Sequence, residues 1–182
     1  MQTIATPLDG VLVFEPKVFG DARGFFMESF NARRFEELTG HQANFVQDNH
    51  SRSLRGVLRG LHYQIHQPQG KLVRVVAGEV LDVAVDIRKS SPTFGNWYSH
   101  RLSAENKAQL WVPAGFAHGF VVLSGIADFL YKTTDYWAPE HERCIAWNDA
   151  DLAVDWQLDG TAPQVSAKDA QGIAFRDAEV FP

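Results

Sequence analysis

Short runs in which apolar and polar residues alternate, broken every few positions by Gly, Pro, Asn or Asp, dominate this sequence. Alternation puts every second side chain on one face of a strand, whereas a helix needs apolar residues three and four apart. Leu81, Val83, Val85 and Ile87 alternate with Asp82, Ala84, Asp86 and Arg88, which predicts a strand with one buried face. The β-branched run 71–76 precedes it across Ala77-Gly78, and the two segments read as a hairpin. Further strands are expected at residues 11–14, 24–30, 45–50, 57–64, 97–102, 109–112, 116–123 and 128–133. Only residues 31–39 read as a helix, with Asn31 as its cap, Phe35 and Leu38 on one face, and Gly40 ending it. From about Asp149 the tail is rich in Pro and Asp and reads as irregular, with Trp156 and Phe175 marking parts that pack. About ten short strands and one helix predict an all-β jelly roll or a closely related closed barrel, whose interior can enclose a ligand.

The 182 residues suit one domain, 1–182, and the sequence contains no linker, repeat or low-complexity stretch. A net charge of -5 argues against a general nucleic-acid binder, while local Arg and Lys clusters leave room for a small anionic ligand. Cys144 is the sole cysteine, so no intrachain disulfide forms, which favours a reducing compartment. The segment MQTIATPLDG has neither the basic nor the apolar region of a signal peptide, and no apolar run nears the roughly 18 residues of a membrane span. The expectation is a cytoplasmic, soluble protein without a membrane partner.

Four segments carry a resemblance: Phe19-Gly-Asp-Ala-Arg-Gly-Phe-Phe26, Val46-Gln-Asp-Asn-His-Ser51, Gly56-Val-Leu-Arg-Gly-Leu-His-Tyr63 and Pro113-Ala-Gly-Phe-Ala-His-Gly-Phe120. With Lys71-Leu-Val-Arg74 and Tyr131-Lys-Thr-Thr-Asp-Tyr136 they resemble, in order, the dTDP-4-dehydrorhamnose 3,5-epimerase family of the cupin superfamily, from about Leu12 to Asp169. The resemblance implies a cupin-type jelly-roll barrel, a homodimer, and no metal or organic cofactor. It also implies dTDP-4-dehydro-6-deoxy-D-glucose as substrate and dTDP-4-dehydro-L-rhamnose as product, a step toward dTDP-L-rhamnose.

Inverting a carbon beside a ketone needs no redox cofactor. The C4 carbonyl acidifies the hydrogens at C3 and C5, so a base on one face, an acid on the other and a donor to the enolate oxygen suffice. Histidine suits the base, its unperturbed pKa of about 6.5 lying near working pH. By resemblance His62 is the base, Asp169 its carboxylate partner, Tyr131 the acid on the opposite face and Lys71 the enolate stabiliser. His118 is then a donor to the sugar. Arg23 and Arg59 match positions that bind substrate, and guanidinium forks suit diphosphate. Glu28, Glu142 and Lys168 match further binding positions. Tyr136 and Trp137 are the pair expected to stack on thymine; the family often has Tyr-Tyr there, which puts a hydroxyl contact at 137 in doubt.

Parity bears on these residues independently of any family. Gln47 and Asn49 share a strand face, so both can point into one cavity while Asp48 points away. Arg59 and His62 are three apart, and a regular strand would aim them at opposite faces; a bulge or kink at Gly60 is expected to bring both into the pocket. For a metal, His62, His66 and His118 offer ligands in principle. Lys71 sits near where the family of metal-binding cupins has a carboxylate, and the expectation is no metal. An epimerase acting at C3 or C5 alone, a sugar-nucleotide ketoisomerase and a non-catalytic sugar-binding cupin remain alternatives.

Overall fold

The computed structural model describes residues 1–42 and 44–182. Its strands are β1 (Gln2–Ala5), β2 (Leu12–Glu15), β3 (Val18–Asp21), β4 (Gly24–Met27), β5 (Gln47–Leu54), β6 (Leu58–Gln64), β7 (Lys71–Ala77), β8 (Glu79–Asp86), β9 (Trp97–Ser103), β10 (Gln109–Val112), β11 (Phe116–Val122), β12 (Ile126–Thr133) and β13 (Glu142–Cys144). A helix, α1 (Ala32–Thr39), lies between β4 and β5. One sheet has the order β1-β2-β10-β7-β12-β5, the other β13-β6-β11-β8-β9, and all ladders are antiparallel. Two such facing sheets make the jelly-roll barrel of the cupin type that the alternation predicts. No helix among the described residues is long and apolar enough to cross a membrane.

Val13, Val73, Val75, Leu110 and Phe129 of the first sheet pack against Val80, Ala84, Leu102 and Phe120 of the second, which fills one part of the interior with apolar side chains. α1 covers part of the outer face of the first sheet, at Phe14, Leu72 and Trp111. Asn31 caps it by accepting from the Arg34 amide, Gly40 ends it in the left-handed conformation, and Phe35 is buried against Phe14 and Trp111. Burial of such a ring is worth about 1.5–3 kcal/mol, enough to hold an eight-residue helix that would not form alone.

Two expectations about the middle of the chain are corrected. β7 and β8 do not form a hairpin: β7 pairs with β10 and β12, β8 with β11 and β9. Gly78 alone links them, at φ +73, where a Cβ would meet the Ile126 carbonyl oxygen at 1.9 Å. A tight hairpin takes two loop residues, whereas this single one turns the chain out of one sheet and into the facing one. Nor does β8 have one buried face, for Val80–Asp86 is buried throughout. Leu81, Val83, Val85 and Ile87 face outward, where the C-terminal tail covers them with Leu152, Trp156, Phe175 and Phe181. The irregular tail is thus a third layer, tied to the barrel by bridges at Val57–Gln164, Arg88–Phe181 and Ile145–Ile173. The strand expected at 24–30 ends at Met27 and pairs with Val18–Asp21 instead of joining either sheet.

Candidate active site

The tail covers the outer face of the second sheet, so Asp82 and its neighbours look inward, and they line a polar end of the barrel. β6 reaches it through an irregularity. His62 pairs with His118 and Arg59 with Phe120, so β6 spends two residues, Gly60 and Leu61, where β11 spends one. That bulge restores parity: Leu58, Leu61 and Tyr63 face the outer cluster, leaving His62 and Arg59 on the interior side. The expected bulge at Gly60 is therefore present.

His62 Nε2 lies 2.5 Å from Asp169 Oδ1. Asp169 opens a short 3-10 turn, Asp169–Gln171, in the folded-back tail, and its amide is held by Ser166 Oγ at 3.1 Å. Burial raises the Asp169 carboxyl, but His62, Ser166 and Lys168 more than offset this and hold it below the usual carboxylate range. An ionised Asp169 accepts the Nε2 proton and leaves Nδ1 of His62 free to take a proton from elsewhere.

Tyr131 projects inward from β12 on the opposite sheet, packed against the interior apolar cluster. Burial pushes its hydroxyl up, Glu142 adds to this, and Arg59 opposes it, so the phenol stays protonated. Lys71, at the start of β7, donates to the His62 carbonyl at 3.4 Å. Burial pushes its ammonium down to about 8, against the pull of Glu142 and Asp82. His118 Nε2 sits 2.9 and 3.0 Å from the two carboxylate oxygens of Asp82, both residues buried. Burial raises the Asp82 carboxyl, with His118, Lys71 and His100 drawing it back.

Around this centre, Arg59 donates to Ser53 Oγ at 3.1 and 3.2 Å. Gln47 and Asn49 share the inner face of β5, bonded to each other at 2.9 Å, while Asp48 points out to Lys132. Gln47 also accepts from the Trp137 amide. Glu142 accepts from Trp137 Nε1 at 3.2 Å and pairs with Lys168 at 2.5 Å, a link running from the exposed Tyr136-Trp137 rim to the tail that holds Asp169. Burial raises the Glu142 carboxyl, but Lys168, Trp137 and His62 bring it below its ordinary value.

Two of the expected residues do not join this cluster. Arg23 stands at the tip of the exposed β3–β4 hairpin, paired with Asp21, and Glu28 accepts from Asn31 at the start of α1. Conversely, Asp82 and Cys144 lie in the cluster although no sequence motif marks them. Asp82 is legible as a carboxylate between apolar neighbours on a strand, but alternation alone assigns its face to solvent. Cys144 sits opposite His62 in the β13–β6 ladder, and that short strand was not foreseen. The sulfur of Cys144, a ring nitrogen of His62 and a carboxylate oxygen of Asp169 lie within 4.8 Å of one another.

The arrangement offers a hydrogen-bonded imidazole on one sheet, a protonated phenol on the other and an amine bonded to the backbone carbonyl of His62. That is equipment for removing and returning a proton without an acceptor of electrons. The family model of dTDP-4-dehydrorhamnose 3,5-epimerase matches residues 5–177. The dTDP-4-dehydrorhamnose 3,5-epimerase of Pseudomonas aeruginosa is 67% identical over 182 residues, covering 100% of each chain, and that of Shigella flexneri is 59% identical over 100% of this chain and 99% of its own. Among solved structures, a dTDP-6-deoxy-D-glucose-3,5-epimerase from Legionella pneumophila in complex with dTDP-4-keto-L-rhamnose superposes with a TM-score of 0.95, at 58% identity, over 98% of this chain and 94% of that one. The chain belongs to the dTDP-4-dehydrorhamnose 3,5-epimerase family.

Proposed function

We propose that the whole chain acts as one isomerase domain that inverts C3 and C5 of dTDP-4-dehydro-6-deoxy-D-glucose, giving dTDP-4-dehydro-L-rhamnose. The observation that carries this reading is the His62–Asp169 contact on one sheet with Tyr131 projecting inward from the other. His62 Nδ1 takes the proton alpha to the C4 ketone, and Asp169 stabilises the imidazolium. Lys71 balances the charge that develops on the enolate oxygen, with His118, oriented by Asp82, donating to the sugar. Tyr131 returns a proton from the opposite face, and repetition at the second carbon completes the double inversion. Arg59 holds a phosphate, Gln47 and Asn49 supply polar recognition, Glu142 and Lys168 brace the rim, and Tyr136 with Trp137 stacks on thymine. None of these steps uses a metal or an organic cofactor.

The active form in this reading is a cytoplasmic homodimer. The β3–β4 hairpin pairs only with itself among the described residues and exposes Phe19, Phe25 and Phe26 at 54%, 62% and 71%. Such an apolar arm gains by docking on another molecule. Docked on a second copy, it would carry Arg23 and Glu28 of one protomer to its partner's cavity, which explains their distance from His62 within one chain.

The test is NMR of dTDP-4-dehydro-6-deoxy-D-glucose with enzyme in D₂O. Deuterium at both C3 and C5 with inversion is expected. Label at one carbon alone would make the enzyme a single-site epimerase, and no exchange would leave a binding module.

A further inference from the structure

Cys144 takes no part in the proton transfers, yet it faces His62 across the β13–β6 ladder with its sulfur 4.0 Å from Asp169 Oδ1. The three potential ligand atoms of His62, Cys144 and Asp169 lie within 4.8 Å of one another. Imidazole nitrogen, thiolate sulfur and carboxylate oxygen form a donor set for a borderline-soft divalent ion. Tetrahedral Zn²⁺, with bonds of about 2.0–2.3 Å, wants its ligand atoms roughly 3.3–3.8 Å apart. The 2.5 Å His62–Asp169 contact must open by about 1 Å, and the thiol, 4.0 Å from Asp169 and within 4.8 Å of the imidazole, must close by about 1 Å, shifts that side-chain torsions can supply. With two anionic ligands the occupied site is neutral, so no net positive charge stands in a partly buried place beside Lys71.

We propose that His62, Cys144 and Asp169 form an inhibitory Zn²⁺ site that locks the base in the wrong tautomer. The ion takes Nε2 of His62, whose proton moves to Nδ1, the atom that must be bare to act as a base. Cys144 loses its thiol proton to solvent, Asp169 binds as the carboxylate it already is, and water fills the fourth position. One proton is released per ion bound, so affinity falls about tenfold per unit drop in pH. Burial, with Asp169 adding to it, pushes the free thiol up to about 12, so Cys144 is inert until a metal ionises it.

The experiment uses chelator-treated enzyme titrated with Zn²⁺, and separately with Co²⁺ as a spectroscopic probe. Stoichiometric Zn²⁺ binding, inhibition reversed by chelator, and a thiolate-to-cobalt absorption band are expected. Cys144→Ser should keep its metal-free activity, lose the band, and bind Zn²⁺ at least about 100-fold more weakly, since loss of even an outer-shell partner reaches that range. Equal zinc sensitivity in wild type and Cys144→Ser would overturn the proposal. So would a cobalt spectrum of the wild-type enzyme without the thiolate band, which decides the matter even if the variant does not fold.

Discussion

Arg59 and His62 stand three residues apart on β6 and still share the interior face, because the strand carries one residue more than β11 between them. Gly60 permits this with φ +132 and with a Cβ position 2.6 Å from Gly119 Cα, a space no side chain can occupy. Gly60→Ala is therefore expected to cost about 1–3 kcal/mol of stability and to lower kcat/KM by misaligning His62. Thermal denaturation and steady-state kinetics check it; a variant with wild-type stability and activity would mean that the bulge does not need glycine.

Asp169→Asn replaces the ionised partner of His62 Nε2 with a neutral amide. The imidazole loses both its tautomer control and the charge that stabilises its protonated form. A fall in kcat of about 10²- to 10⁴-fold with KM little changed is expected. An unchanged kcat in the folded variant would remove Asp169 from the proton-transfer chain.

Lys71 should set an alkaline limit. Burial pushes its ammonium down to about 8, so the group is charged below that pH and neutral above it. Enolate stabilisation fades as pH rises through about 8, and kcat/KM of the wild-type enzyme falls with it. In Lys71→Arg the charge persists to far higher pH, so the limb should move out of the accessible range in whatever activity remains. The same limb in both enzymes would assign it to another group.

What was legible in the chain follows from how local each signal is. Asn31 and Gly40 bound the helix because capping is decided within one turn, and the shared parity of Gln47 and Asn49 needs only the pleat of one strand. The bulge at Gly60 was foreseeable because two residues wanted in one cavity had incompatible parity. The partners of β7 and β8 are not legible, since a turn glycine reports a reversal of direction and not which sheet receives the next strand. The facing of Asp82 is hidden for a related reason: alternation marks two faces, and only the distant tail residues Leu152, Trp156 and Phe181 decide that the apolar one lies outside the barrel. The inward position of Asp169 likewise depends on that tail folding back, which resemblance suggested and periodicity did not. β13 is three residues long, too short for alternation to reveal, and the place of Cys144 is hidden with it.

The most direct measurement separates proton removal from proton return, by following deuterium incorporation and inversion together in D₂O. If His62 is the base and Tyr131 the opposite-face acid, folded Tyr131→Phe still forms the enolate, and His62 returns a deuteron to the face it came from. The expected result is exchange with retention, inversion being slowed about 10²- to 10⁴-fold, while His62→Ala loses exchange and inversion alike. A Tyr131→Phe enzyme that inverts its substrate at the wild-type rate would contradict the two-face account.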